Sequence, residues 1–149
     1  MPFAGFDPAN YPLNNDEWSF PVCEVFHIIG FVLLIGSIVL VDLRLLGLGM
    51  RRQTAAELVA DTAPWTLTGL ALIALTGPLI FFSDPALYYY NAAFRYKITV
   101  LLIAILFNWT LHRKVATSPQ PGALGAVVGA VSILMWTSLV FAGIFIAFI

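Results

Sequence analysis

Charge is what this sequence has least of. Only 10% of its 149 residues are Asp, Glu, Lys or Arg, and seven cations against eight acids leave a net charge of −1. Such a chain has no surface for a polyanion, so nucleic acid is not an expected partner. Cys23 is the single cysteine, which excludes an internal disulfide. No phosphate loop, serine triad or zinc motif is present. The first twenty residues contain no Lys or Arg and no A-x-A pattern, and Pro2, Pro8 and Pro12 break any helix there. Because a signal peptide opens with a basic region, we read these residues as a short extracytoplasmic segment lying on the membrane, with Tyr11 and Trp18 at headgroup level.

Apolar residues are what the chain has in excess, at 60%. They gather in four runs, each near the roughly 17–25 residues that a helix needs to cross ~30 Å of hydrocarbon. The expected fold is all-α: one membrane domain over residues 1–149, an integral four-helix bundle with spans near 20–43, 65–83, 96–112 and 122–149. Backbone polar groups in lipid must be satisfied within helices, which leaves few alternatives. Short interfacial helices are expected between the spans. Thr54 and Glu57 have capping-box spacing for a helical turn before Pro64 and Trp65 open the second span. Asp84 with Pro85 reads as an N-cap and first residue of a short helix carrying Tyr88, Tyr89 and Tyr90, an interfacial aromatic belt. Gly77 and Pro78 predict a bend in the second span.

Arg44, Arg51, Arg52, Arg113 and Lys114 fall at the first and third connections, while only Arg95 and Lys97 lie near the second. Five against two places the first and third loops in the cytoplasm and both termini outside. In the fourth span, Gly125, Gly129, Ser132 and Trp136 form one stripe of close approach, and symmetric association into a homo-oligomer is expected.

Four ionisable residues punctuate the first run, "SFPVCEVFHIIGFVLLIGSIVLVDLRLLG". Arg44 follows His27 by 17 residues, ~26 Å at 1.5 Å per residue, so Glu24 and His27 lie near the outer surface and Asp42 and Arg44 near the inner one. His112 lies ~22 Å deeper than Lys97 on the third span. The two histidines therefore sit at opposite faces and cannot clamp one haem within a chain. His112, followed by Arg113 and Lys114, suits the cationic end of a helix. Asp42 and Arg44 point in different directions and need partners on other elements.

His27 lies a turn inside the apolar run with Cys23 and Glu24 on the same face, and ionisable groups so placed are functional by default. Two chemistries suit it. His27 is a candidate axial ligand to haem b, with Gly30 leaving space for the macrocycle, Arg95 or Lys97 meeting the propionates, and Met135, ~20 Å from the inner face, as a candidate second ligand. Cys23, Glu24 and His27 are alternatively a thiolate, carboxylate and imidazole set for copper or zinc. A structural hydrogen bond from His27 is the third reading.

The stretches "FHIIGFVLLIGSIVLVDLRLLG", "TGPLIFF" and "YNAAFRYKITVLLIAILFN" resemble, in that order, an uncharacterised family of small bacterial inner-membrane proteins with four helices. The D-L-R-L-L-G ending of the first helix is the most specific part. A histidine early in helix one, an arginine at its inner end and a lysine opening helix three are more distantly similar to two groups: the haem-b protoporphyrinogen oxidases of bacteria and the membrane domain of copper-resistance proteins. That similarity implies His27 as the haem-ligand histidine and Lys97 as the third-helix lysine, while His112 lies farther from Lys97 than the oxidase pattern places a histidine. The expected function is redox or electron transfer by a haem-b protein of the bacterial inner membrane, as an oxidoreductase or with a redox partner protein. The alternatives are a copper-handling membrane protein and a cofactor-free accessory subunit of a larger complex.

Overall fold

The computed structural model describes residue 3 and residues 5–149. Among them there is no strand, and four helical spans are long and apolar enough to cross a membrane. Helix α1 runs Ser19–Leu45, α2 Ala55–Ser83, the short α3 Pro85–Tyr90 and α4 Ala92–Phe107. A π-helical turn, Asn108–His112, joins α4 to α5, Arg113–Ala116, and α6 runs Gly122–Phe145. Large apolar side chains such as Val25, Val32, Leu75, Leu102, Leu124 and Leu134 point outward, as lipid contact requires. This is a multi-pass membrane protein.

Capping sets the helix ends. Asp16 Oδ1 accepts from the backbone N–H groups of Trp18 and Ser19, and the Ser19 hydroxyl donates to Asp16 Oδ2. The Ser19 hydroxyl first, then the two N–H groups, hold the Asp16 carboxyl below its ordinary range. Thr54 and Glu57 form a full capping box. It opens α2 itself rather than a separate turn: the helix starts ten residues before the sequence expectation and continues through Pro64 and Pro78. Proline removes one backbone donor, and a helix long enough to keep its other bonds absorbs that loss in a packed bundle. Asp84 caps α3 through Leu87 N, with Pro85 in the first position, as expected.

The N-terminal segment forms two 3-10 turns, Pro8–Asn10 and Pro12–Asn14, and Asn14 Nδ2 donates to the carbonyl of Ser83 at the end of α2. Asn91 Nδ2 reaches the carbonyl of Ile146 beyond α6. The start of α1, the end of α2, α3, the start of α4 and the end of α6 therefore share one face of the bundle. Asp42, Arg44, His112 and the start of α6 belong to the other.

Helix α1 packs on α2 and α6, and α6 on α4, while α2 meets α4 through the stacked rings of Phe81 and Phe94, 5.5 Å between centroids. A Cβ on Gly69 would stand 2.5 Å from Leu34 N and 2.6 Å from Gly30 O, and one on Gly30 would stand 2.8 Å from Leu72 Cβ. The α1 and α2 backbones thus touch at these two glycines. Gly30 is consumed by this crossing and leaves no room for a macrocycle, which corrects its expected role. Gly129 does the same on the other side of α1, where a Cβ would lie 3.0 Å from Asp42 O and 3.2 Å from Leu45 Cβ. Gly125, Gly129, Ser132 and Trp136 are all buried inside the subunit. The stripe is spent on packing α6 against α1, so it supplies no argument for a homo-oligomer.

Gly69→Ala should destabilise the protein by about 1–3 kcal/mol, the usual cost of overpacking. Gly36→Ala, where nothing lies within 4 Å of the new Cβ, should match or slightly exceed the wild type. Thermal unfolding in detergent reads both, and equal midpoints for the two variants would contradict the close crossing.

Candidate functional site

Two polar clusters occupy the bundle, one toward each face. One is built on His27. Its Nδ1 lies 2.7 Å from Thr76 Oγ1, and the Thr76 hydroxyl donates to Leu72 O at 2.6 Å. A hydroxyl has one proton, so Thr76 Oγ1 accepts and His27 Nδ1 carries the hydrogen. That assignment leaves the lone pair on Nε2. The ring stands edge-on to Phe31 at 5.3 Å, and its Cε1 would be 3.5 Å from a Cβ on Gly77, so Gly77 gives the imidazole its place against α2. Lys97 Nζ lies 4.6 Å from the centre of the Phe31 ring, a cation–π contact that brings α4 to the same patch. Gly143 of α6 leaves space for this amine, 3.4 Å from where its Cβ would be.

The other residues proposed for this site disperse. Cys23 is buried, whereas Glu24, one position on, is exposed, and the described residues contain no group of three His, Cys, Asp or Glu able to hold a metal ion. Cys23, Glu24 and His27 therefore do not form such a group. Arg95 is exposed, and Met135 packs against the apolar core of Leu34, Ile38, Ile73, Ala104, Trp136 and Leu139.

The second cluster has a different chemistry. His112 Nε2 lies 2.5 Å from Asp42 Oδ1, and the two side chains are 4% and 0% exposed. His112 is therefore not the interfacial cation expected from its neighbours Arg113 and Lys114. The π turn supplies the reason. One extra residue per turn swings the following side chains by about 100°, which carries His112 from the outside of α4 onto α1. The Ser132 hydroxyl faces the Asp42 carboxyl, yet neither Ser132 Oγ, Asp42 Oδ2 nor Trp136 Nε1 closes a hydrogen bond within the protein. Arg44 turns away and donates from Nε to Gln53 O. The partners of Asp42 and Arg44 do lie on other elements.

Beside the pair, between α2 and the π turn, a cleft of about 80 Å³ is lined by Ser37, Thr62, Thr66, Asn108, His112 and Arg113 among apolar side chains. The Ser37 and Thr66 hydroxyls lie 2.7 Å apart along it. Sequence depth had put Asp42 and His112 at one level. A π turn leaves no recognisable sequence mark, so their contact was not readable.

A family model matches residues 20–149, nearly the whole helical part of the chain. The chain belongs to DUF6644, a family of unknown function. The match supports the resemblance to an uncharacterised family and adds nothing to the more distant likeness to haem-b oxidases or copper-resistance domains. Searches of the curated proteins and of the solved structures found no match.

Replacing Asp42 by Ala should cost about 3–5 kcal/mol, the usual consequence of orphaning one member of a buried pair. Glu24→Ala, at an exposed position, should stay within about 0.5 kcal/mol of the wild type. Denaturant unfolding in detergent separates the two, and a neutral Asp42→Ala would mean that the pair carries no stability.

Proposed function

We propose that this DUF6644 member is a haem-b-binding protein of the bacterial inner membrane with an electron-transfer role, holding the haem through His27 near its outer face. The observation that carries this reading is the hydrogen-bond relay from His27 Nδ1–H to Thr76 Oγ1 and on to Leu72 O. A histidine that binds a metal donates its other ring N–H to a fixed acceptor, which sets the tautomer and the ring orientation. His27 meets that requirement within the apolar part of the bundle. Haem b would supply the one-electron chemistry. The chain's contribution is to hold the Nε2 lone pair in one direction, to present Phe31 beside the ring, and to place the ammonium of Lys97 where a propionate could be neutralised, with Arg95 at the exposed rim.

Gly30 is already filled, and Met135 belongs to the core, so neither enters this proposal. A redox partner protein would dock at the outer face. The basic residues of the first and third connections orient that face away from the cytoplasm.

The purified protein should show an intense Soret absorption that moves on reduction. His27→Ala should abolish most of it and His112→Ala should leave it nearly intact. Thr76→Val should weaken haem retention by roughly 10–100-fold, the usual penalty for losing such an outer hydrogen bond. A colourless protein from cells supplied with haem precursor would overturn the proposal.

Reporter fusions at Gln53 and Ser118 should read cytoplasmic and one after Ile149 extracytoplasmic. A cytoplasmic signal from the last would move His27 to the inner face.

A further inference from the structure

We propose that Asp42 and His112 form a proton-binding site inside the membrane, loaded from the Arg113 end of the bundle through the cleft between α2 and the π turn. This site is separate from His27 and does not depend on haem.

The geometry makes the argument. Asp42 has no exposure and His112 almost none, and the carboxylate and imidazole meet at 2.5 Å. With His112 Nε2–H donating to Asp42 Oδ1, Nδ1 holds a lone pair and the pair carries one negative charge. A lone buried charge is costly in an apolar interior, and it is relieved by a proton more cheaply than by any ion. A hydronium entering the cleft gives its proton to Nδ1 and leaves as water, and the pair becomes a neutral imidazolium–carboxylate. The reverse step returns the proton to water. Because the two groups are coupled, the bound proton belongs to the pair rather than to either residue.

No neighbouring charge replaces that proton. Helix α6 presents Ser132 and Trp136, neither of which is charged. Helix α2 presents Thr62 and Thr66, whose hydroxyls donate to Leu58 O and Thr62 O. On the same end of α2, Glu57 is engaged in the Thr54 capping box and Asp61 accepts from Gln53. Arg44 on α1 is bound to Gln53 O, and Lys114 is exposed. Only Arg113 lines the cleft, from an exposed position at its mouth.

Two further observations distinguish this site from a simple structural clasp. Asp42 Oδ2, Ser132 Oγ and Trp136 Nε1 are buried without partners within the protein, and water has the chemistry to serve them, since it donates to a carboxylate and accepts from an indole. The cleft reaches His112 itself, is bordered by the hydroxyls of Ser37, Thr62 and Thr66 and by Asn108, and has room for several water molecules. A purely structural pair needs neither a polar approach nor unsatisfied groups behind it.

The chain has two histidines, so ¹⁵N-histidine labelling of the full-length protein in lipid gives two pairs of ring-nitrogen signals, which His27→Gln assigns. The His112 signals should pass from one-N–H to two-N–H forms as the pH is lowered across the range in which the protein stays folded. Asp42→Asn should displace that midpoint by more than a pH unit, and Thr66→Val, which leaves the pair intact but dries the cleft, should slow deuterium exchange of the His112 ring proton at least tenfold. Should Asp42→Asn fail to fold, the wild-type infrared spectrum with ¹³C-labelled aspartate decides, because a carboxyl band there must change with pH in step with His112. A His112 signal fixed in one form across the range, with a ring proton that resists exchange, would overturn the proposal and leave a structural lock.

Discussion

The backbone contact between Gly30 and Gly69 is the constraint on which the other features rest. Lipid gives helices no hydrophobic reason to associate, so close van der Waals contact has to hold the bundle, and only glycine lets two backbones approach this far. A Cβ at Gly69 would fall inside contact distance of Leu34 N and Gly30 O. With α1 and α2 locked there, one turn along α1 sets His27 opposite Thr76 and Gly77. The relay that fixes the imidazole is thus a product of a packing contact some distance from it.

A second close approach, at Gly129, seats α6 on the backbone of Asp42. Together the two glycine contacts fix α1 on both sides, and the π turn then delivers His112 to Asp42, the only buried carboxylate among the described residues. The Asp42–His112 pair ties α1 to the far end of α4, while Lys97 over Phe31 ties α1 to its near end. Helix α4 is the least buried of the four spans, with 11% of its apolar window inside the protein. Polar contacts at its two ends therefore carry more of its attachment than they do for the other helices. That division explains why its polar residues cluster at the ends and lipid-facing Leu102, Ile103 and Leu106 occupy its middle.

Much of this was legible in the residues. The four spans, the Asp84–Pro85 helix and the Thr54–Glu57 box follow from hydropathy and capping chemistry, which are local. The opposite depths of His27 and His112 follow from rise per residue along two apolar runs. The start of α2 was misplaced because Pro64 reads as a boundary, although a bundle tolerates proline inside a long helix. The glycines were the harder case. Gly30 as a space for a ligand and Gly129 as a face for a second subunit are both sensible uses of a missing side chain, and nothing in a sequence says which neighbour comes to fill it.

The sequence by itself therefore determined that this chain lies in a membrane as four helices, and at what depth each ionisable residue sits, because solvent and helix geometry act on each segment separately. Tertiary structure alone decided which residues meet. Asp42 found His112 through a π turn, and His27 found Thr76 through a glycine crossing. The physical reason is rotation about the helix axis. One inserted residue, or one close contact between neighbouring helices, resets the direction of every side chain after it by an angle that hydropathy does not record.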